Sequence, residues 1–368
     1  MSSLKPKIDL NSIPIYKGGE SSLDQYSSVV KLSSNENPFG PSENAIDAYN
    51  NINSTLNRYP DGNASYLKES ISVIYNVDPK RLICGAGSDE ILCLACRAYA
   101  GVGDEIIHTE HAFSMYSIYA KSVGAKPVSV TEDNITADID TILNSVTDRT
   151  KIVFLANPNN PTGTVLTKTK ISDLRKNLRQ DILLVLDGAY SEFMSSDDHD
   201  GALFLAETSK NVLLTRTFSK IYGLAALRVG WGYADVSIIS LLDKLRNPFN
   251  LNSSAIITAS VAIRDIEYTN KLRRYNSNIM QEFIAKFRSI GLGVVGDSGN
   301  FILTKFPDKK DRSAEKADLF LRKSGVIVRR VDSYGLSNYL RVTVGKKPEM
   351  DIVFTELKKF LEGKDEKN

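Results

Sequence analysis

Short, uninterrupted apolar runs in the middle of the chain constrain the fold more than any other feature of the sequence. The strand candidates lie at 81–84, 152–156, 182–186 and 212–214, and helical patterns such as 88–99 lie between them. Runs without polar alternation are typical of strands buried on both faces of a parallel sheet. Strands that alternate with helices predict right-handed crossover units. The sequence therefore predicts an α/β fold with a mainly parallel sheet.

The rest of the chain differs from this middle region. Its 368 residues exceed what one hydrophobic core usually serves, so we expect two domains. Residues 1–40 have few apolar runs and predict an extended arm before a large domain over 41–252. After about 250 come a long helix candidate and separated strand candidates, at 268–290, 301–306, 326–329, 340–344, and a closing helix at 349–362. That order predicts a smaller α+β domain over 253–362.

Charge and composition argue against large polyanionic partners. The formal net charge is +2, and Lys and Arg are scattered along the chain rather than clustered. Such a surface predicts neither nucleic acid nor a membrane as a partner. The N-terminal residues contain no apolar stretch of a secretory signal, and no apolar run reaches about 18 residues. We therefore expect a cytoplasmic protein that acts on small molecules.

Polar residues follow the apolar runs where the strands should end. The motif NPNNPTG, with Asn160, follows the run at 152–156. Asp187 follows the run at 182–186, and the segment TRTFSK, which ends in Lys220, follows the run at 212–214. Ligands of parallel sheets bind outside the carboxyl ends of the strands. The sequence therefore predicts that Asn160, Asp187 and Lys220 converge on one site.

These residue types match the chemical needs of pyridoxal phosphate (PLP). The cofactor needs a lysine for its Schiff base and a carboxylate opposite its pyridine nitrogen. Its phosphate needs backbone donors at a helix N-terminus and a cation. Singly, each residue has a commoner explanation, such as a helix cap for Asp187 or a solvated surface position for Lys220. Jointly, and with Arg228 and the turn before 88–99, they favour a PLP enzyme.

A family resemblance supports this interpretation along most of the chain. The chain resembles the fold-type I, class II aminotransferases, and within them the histidinol-phosphate aminotransferase branch. The resemblance lies in SNENPFGPS (34–42), RYPDG (58–62), GAGSDE (85–90), NPNNPTG (157–163), LDGAY (186–190), TFSKIYGLAALRVGW (217–231) and the pair GVIVR and YLRVTVG (325–345). It implies the PLP-dependent transferase fold of type I, with PLP as the cofactor and no metal.

The resemblance also implies a role for each matching residue. Lys220 would carry the cofactor and shuttle the substrate proton, and Asp187 would hold the pyridinium. The other implied cofactor contacts are Asn160 and Tyr190 at the ring oxygen, Phe113 against the ring, and Ser88, Asp89, Ser219 and Arg228 at the phosphate. The implied substrate contacts are Arg341 for the α-carboxylate, with Arg329 and Tyr16 for the substrate phosphate. Tyr59 would reach the phosphate from a neighbouring subunit, which implies a homodimer with shared active sites.

Several functions remain open at this point. The leading one is transamination between histidinol phosphate or imidazole-acetol phosphate and glutamate or 2-oxoglutarate. The alternatives are an aromatic amino-acid aminotransferase, a PLP-dependent decarboxylase of phosphorylated amino acids, and a binding module without activity. A zinc site at Cys93, Cys96, His108 and His111 is disfavoured, because the cysteines lie on the apolar side of a helix. The binding module is disfavoured because it has no need of a reactive lysine.

Overall fold

The computed structural model describes residues 4, 6, 8–52, 56–194 and 201–363. Its strands are β1 (Val30–Lys31), β2 (Leu82–Gly85), β3 (Glu105–Thr109), β4 (Lys126–Val130), β5 (Thr150–Ala156), β6 (Leu183–Asp187), β7 (Val212–Thr217), β8 (Gly230–Tyr233), β9 (Gly293–Val295), β10 (Phe301–Lys305), β11 (Val326–Ile327), β12 (Arg329–Arg330) and β13 (Tyr339–Thr343). Its α-helices are α1 (Glu43–Asn50), α2 (Ser65–Tyr75), α3 (Ser88–Tyr99), α4 (Met115–Ser122), α5 (Ile139–Asn144), α6 (Lys168–Asn177), α7 (Gly201–Thr208), α8 (Val236–Leu245), α9 (Ser253–Ala262), α10 (Ile266–Ser289), α11 (Ala314–Lys323) and α12 (Lys347–Glu362).

The larger sheet has seven strands in the order β2-β8-β7-β6-β5-β3-β4. Its neighbours pair in parallel, except that β8 is antiparallel to both β2 and β7. The four apolar runs of the sequence became β2, β5, β6 and β7. Three strands of this sheet, β3, β4 and β8, were not predicted. The predicted α/β fold with a mainly parallel sheet is confirmed.

Alternation along each strand distributes the apolar side chains over both faces of this sheet. In β6, Leu183 and Val185 belong to one buried cluster, while Leu184 and Leu186 belong to another. Successive side chains of a strand point to opposite faces, so an unbroken apolar run needs a layer of helices on each side. The first cluster includes residues of α3, α4 and α8, and the second includes residues of α2, α6, α7 and α9. The polar ends of β5, β6 and β7 are left facing the same edge.

A smaller antiparallel sheet follows, in the order β12-β13-β10-β9. Helices α10, α11 and α12 contribute side chains such as Phe283, Leu321 and Val353 to a separate buried cluster against it. The strand candidate at 326–329 is in fact split between two sheets. Its first part, β11, pairs in parallel with β1 near the N-terminal arm, whereas β12 pairs with β13. No helix among the described ranges combines the length and the apolar character that a membrane crossing requires.

Candidate active site

One cavity of about 480 Å³ lies at the carboxyl ends of the central strands. Ala156, Asp187 and Thr217, the last residues of β5, β6 and β7, all line it. The other predicted site residues that line it are Tyr16, Ser88, Asp89, Phe113, Asn160, Tyr190, Ser219, Lys220, Arg228, Arg329 and Arg341. The convergence follows from the parallel strands, whose carboxyl ends share one edge of the sheet.

Asp187 is a buried carboxylate held by three donors. The hydroxyl of Tyr116 donates to Oδ2 at 2.8 Å, and the Ala189 amide and the Thr215 hydroxyl lie 3.2 and 3.4 Å from Oδ1. Burial raises the pKa of Asp187 to about 6, although the Tyr116 hydrogen bond acts in the opposite direction. A buried anion is costly without a cation to pair with. The site is therefore suited to a ligand that brings a positive charge to this carboxylate.

Tyr116 was missed by the sequence analysis. It lies in α4, three positions after Phe113, is completely buried and stacks on Phe154 with ring centroids 4.6 Å apart. A buried phenol normally finds a hydrogen-bond partner, and here the partner is Asp187. The sequence indicated only an aromatic residue one helical turn from Phe113, which does not reveal that contact.

Lys220 follows β7 and projects into the cavity. Its Nζ donates to the Ser34 carbonyl at 3.4 Å and lies 5.6 Å from the centroid of the Tyr190 ring. Burial, helped by the positive charge of Arg341, lowers the pKa of Lys220 to about 8. A lysine with a lowered pKa has a larger fraction of uncharged, nucleophilic amine near neutral pH. Lys220 thus meets the chemical requirement for bonding to a carbonyl carbon.

The predicted ring-oxygen donors, Asn160 and Tyr190, both line the cavity and have hydrogen-bond partners. Asn160 Oδ1 accepts a hydrogen bond from Arg341, whose other terminal nitrogen donates to the Ser33 carbonyl at 2.8 Å. Tyr190 is 4% exposed, and its hydroxyl accepts from Asn35 Nδ2 at 2.9 Å. Accepting that bond leaves the Tyr190 hydroxyl hydrogen available for donation.

Ser88, Asp89, Ser219 and Arg228 surround the N-terminus of α3. Arg228 Nη1 donates to the Ser219 hydroxyl at 3.2 Å, and Nη2 lies 3.5 Å from an Asp89 oxygen. The N-cap of α3 is Gly87, which makes no side-chain hydrogen bond to the first turn, so the amide groups of that turn can donate to a ligand. A helix N-terminus beside an arginine is a common binding arrangement for phosphate.

The backbone around this helix start leaves no room for larger residues. Gly87 has φ +78, and a Cβ built on it would lie 2.6 Å from Arg228 Nη2. A Cβ on Gly230 would lie 2.3 Å from the Ser88 amide nitrogen. Glycine therefore lets the backbone and Arg228 form one concave cradle. With the carboxylate of Asp187 and the amine of Lys220, the residues present fit the phosphate, ring nitrogen and carbonyl of pyridoxal phosphate.

The opposite side of the cavity combines the N-terminal arm with the smaller sheet. Arg329 and Arg341 are direct partners across β12 and β13, so both side chains leave the same face of that sheet. The two terminal nitrogens of Arg329 donate to the Gly18 and Lys17 carbonyls at 2.5 and 2.8 Å. Tyr16 is 45% exposed, and its ring meets that of Phe113 edge-on at 6.2 Å. The arm is thereby fastened beside the cavity.

Tyr59 is the one predicted site residue that the structure does not bring to the cavity. It is 82% exposed and stacks on Phe249 with ring centroids 4.6 Å apart. Its approach to a neighbouring subunit stays a prediction.

Other lining residues also escaped the sequence analysis. They include Ser33, Ser34, Glu36, Met115, Tyr119 and Tyr334. Tyr119 donates to Asp89 at 3.1 Å and so joins the cradle to α4. Ser34 and Glu36 lie in the motif SNENPFGPS, but the motif did not indicate that they line the cavity. The others come from segments with no strand-end or motif signal, so only the folded chain brings them to the site.

Comparisons with known proteins place this geometry in context. The model of the family "Aminotransferase class I and II" matches residues 27–357. A histidinol-phosphate aminotransferase of Paramagnetospirillum magneticum is 44% identical over 361 residues, which span 98% of this chain and 99% of that protein. One from Dinoroseobacter shibae is 46% identical over 345 residues, or 94% of each chain.

Solved structures share the fold. The histidinol-phosphate aminotransferase of Sinorhizobium meliloti, in complex with pyridoxal-5'-phosphate, has a TM-score of 0.85 at 24% identity and covers 91% of both chains. The aspartate aminotransferase of Thermus thermophilus with maleate has a TM-score of 0.80 at 18% identity, covering 90% of this chain and 92% of its own. The predicted type I fold of PLP-dependent transferases is confirmed.

Proposed function

The chain belongs to the class I and II aminotransferases, and from that premise we propose that it exchanges an amino group between glutamate and imidazole-acetol phosphate. Histidinol phosphate and 2-oxoglutarate are the corresponding products. The protein is a PLP-dependent aminotransferase that acts on small molecules. The observation that carries the substrate choice is the pair of arginines, Arg329 and Arg341, on one face of the smaller sheet beside the cofactor residues.

Bound pyridoxal phosphate supplies an electron-withdrawing ring that stabilises negative charge developing at the substrate α-carbon. In the proposed site Lys220 holds the cofactor and then moves the proton at the substrate α-carbon. Asp187 keeps the ring nitrogen protonated, and its raised pKa is consistent with a carboxylate that lacks a cationic partner. Asn160 and Tyr190 orient the ring through its oxygen, and Phe113 packs against the ring.

Phosphate binding is proposed for the cradle of Ser88, Asp89, Ser219 and Arg228. The uncapped first turn of α3 and the guanidinium group of Arg228 supply its donors. The carboxylate of Asp89 contributes no donor to a phosphate, and its ion pair with Arg228 supports a role in orienting the guanidinium group.

The substrate side of the site is proposed to bind anions. Arg341 grips the α-carboxylate of glutamate, and Arg329 with Tyr16 binds the phosphate of the other substrate. A planar guanidinium group suits both anions because it donates two parallel hydrogen bonds. The ring of Tyr16 on this side of the cavity favours a substrate that carries a ring.

We also propose a homodimer in which Tyr59 of each subunit reaches the cofactor phosphate of the other. The exposed Tyr59–Phe249 stack supports this, since large exposed aromatic pairs often lie at protein contacts. A cytoplasmic location is proposed from the biosynthetic character of the relatives' activity.

The proposed domain organisation is an arm over 1–40, a large domain over 41–252 and a small domain over 253–362. Separate buried clusters on the two sheets support two domains. The buried side chains of α9, such as Ala255 and Ala259, belong to the cluster of the larger sheet. The core of the large domain therefore extends past the predicted boundary at 252, and we propose that the small domain begins within α10.

A substrate screen on the holoenzyme tests the proposed function. Histidinol phosphate, phenylalanine and a phosphorylated amino acid are each offered with 2-oxoglutarate, and both glutamate and carbon dioxide are measured. We expect glutamate formation to be fastest with histidinol phosphate and no carbon dioxide release. Faster exchange with phenylalanine would instead indicate an aromatic aminotransferase, and carbon dioxide release would indicate a decarboxylase.

A further inference from the structure

The turn between β12 and β13 brings a second phenol to the substrate end of the cavity. Tyr334 ends a short 3-10 turn, Asp332–Tyr334, and is 5% exposed. It lines the same cavity as Tyr16, Arg329 and Arg341.

Contacts on three sides fix the position of Tyr334. Its carbonyl oxygen lies 2.6 Å from His111 Nδ1, so that nitrogen carries the proton and donates. Gly335, at φ +75, ends the turn with its amide donating to the Asp332 carbonyl at 2.9 Å. The ring packs in an apolar cluster with Leu303 and Leu336. The phenol is therefore held in place before any substrate arrives.

Electrostatic interactions indicate that four side chains face the same space. Partial burial raises the pKa of Tyr16, the Tyr334 phenol raises it further, and Arg329 and Arg341 lower it. The pKa of Arg341, lowered mainly by burial, responds in turn to Tyr334, Arg329 and Tyr16. The shared cavity and the cross-strand pairing of the arginines place these four side chains in the same region, and the electrostatic effects agree with that placement.

We infer that Tyr334 is a specificity-determining residue whose hydroxyl donates a hydrogen bond to the phosphate of the phosphorylated amino donor. The inference rests on the proposed function. A phosphate monoester presents three terminal oxygens and nearly two negative charges, whereas a carboxylate presents two oxygens and one charge. The phosphate therefore needs more donors than the carboxylate of glutamate that binds in the alternate half-reaction. Two phenols beside two guanidinium groups supply these additional donors. The phenols are uncharged, so they add no positive charge that would be unbalanced when glutamate binds.

The test removes the hydroxyl from the enzyme and the phosphate from the substrate separately. Holoenzyme carrying Tyr334→Phe is compared with the wild type in single-turnover reactions with histidinol phosphate, histidinol and glutamate, followed by cofactor absorbance. We expect the apparent affinity for histidinol phosphate to fall roughly 10- to 100-fold, as for loss of a hydrogen bond to a charged group. Histidinol and glutamate should change by no more than about 2-fold, because neither carries a phosphate. Inorganic phosphate, used as a competitor against glutamate, should inhibit the variant more weakly.

Tyr339→Phe is the matched control. Tyr339 belongs to the same apolar cluster and is 9% exposed, but it does not line the cavity. It should leave all three substrates unaffected, and the midpoints of thermal unfolding of both variants show whether either change disturbs the fold.

The outcomes separate the inference from the function on which it rests. Equal loss with histidinol phosphate and histidinol, or no loss with either, overturns the role of Tyr334 and leaves the proposed function standing. A wild-type enzyme that does not react with histidinol phosphate overturns the proposed function, and the inference with it.

Discussion

The two sides of the cavity are lined by different kinds of structure. Asp187 ends β6 and Lys220 lies three residues after the end of β7, and these strands belong to a sheet with helices on both faces. Tyr16 and Arg329 instead come from the N-terminal arm and a two-residue strand of the smaller sheet, and the arm is 45% exposed at Tyr16. Buried strands therefore hold one side, whereas side-chain bonds to backbone carbonyls hold the other.

This difference matches what the two sides are proposed to bind. The cofactor side binds one molecule throughout the reaction. Its charged groups can therefore stay in one arrangement and need not reorganise between the half-reactions. The substrate side must accept a phosphate in one half-reaction and a second carboxylate in the other. Arg329 already donates to the Lys17 and Gly18 carbonyls, so an anion that binds to it competes with the arm. Rigidity on one side and exchangeable bonds on the other are what an enzyme with two different substrates needs.

Replacing Lys220 should produce the largest effect, and it tests the cofactor side. Lys220→Ala should abolish transamination, because the same amine binds the cofactor and moves the proton. The absorbance band of cofactor bonded covalently to the lysine should disappear, while pyridoxal phosphate remains bound noncovalently in the cradle. Lys305→Ala, at an exposed position of β10, serves as the control. Appreciable activity of Lys220→Ala without added amine would assign the cofactor to another lysine.

Asp187→Asn should have the next largest effect and should leave the fold intact. An amide cannot balance a positive charge on the ring nitrogen, so we expect a loss of ~2–4 kcal/mol of transition-state stabilisation. The measurement is kcat/KM of the holoenzyme, with Asp173→Asn on the exposed side of α6 as the control. A near-normal rate would mean that the rigid side of the cavity does not depend on this carboxylate.

Changes to the two arginines test the substrate side. Arg329→Ala should weaken the half-reaction of the phosphorylated substrate by about 1.5–3 kcal/mol, the value of a hydrogen bond to a charged group.

Arg341→Lys should mainly slow the glutamate half-reaction, since an ammonium group lacks the planar fork. Single-turnover rates of each half-reaction measure both. Arg330→Ala is the control, because Arg330 pairs instead with Asp332 at 2.6 Å.

Proteolysis of the N-terminal arm provides a second measurement for the Arg329 prediction. Loss of the two bonds to the Lys17 and Gly18 carbonyls should make the peptide bond after Lys17 more accessible to trypsin. Equal slowing of phenylalanine and histidinol phosphate by Arg329→Ala would place phosphate recognition elsewhere and favour the aromatic aminotransferase.

Tyr116→Phe should have the smallest effect and sharpens the account of the cofactor side. The Tyr116 hydrogen bond lowers the pKa of Asp187, which burial raises to about 6, so removing the hydroxyl should move that pKa higher. The ionised fraction of Asp187 at neutral pH then falls, at a cost of about 1 kcal/mol. Carbon-13 NMR of labelled aspartate in the apoenzyme measures the shift. Tyr119→Phe is the control, since Tyr119 donates to Asp89. An unchanged or lower pKa in Tyr116→Phe would contradict the prediction.

Four of the seven strands of the larger sheet, and the functional residues that follow them, could be predicted from the sequence. Apolar runs predicted β2, β5, β6 and β7 because a strand buried on both faces must be apolar along its whole length. Asn160, Asp187 and Lys220 could be assigned to one site from their positions alone, since parallel strands bring their carboxyl ends together. The strands β3, β4 and β8 of this sheet were missed. β4 is an edge strand with mixed polarity. β8 reads Gly-Trp-Gly-Tyr, and glycine is uncommon in strands.

The contacts between distant segments on both sides of the cavity could not be predicted from the sequence. Tyr116 meets Asp187 across 71 positions of the chain, and Asn35 meets Tyr190 across 155. His111 holds Tyr334 from a distance of 223 positions. Secondary-structure periodicity relates residues a few positions apart, so it carries no information about which distant segments pack together. Such contacts form when the chain buries its apolar surface and satisfies its polar groups at the same time, and these are properties of the whole fold.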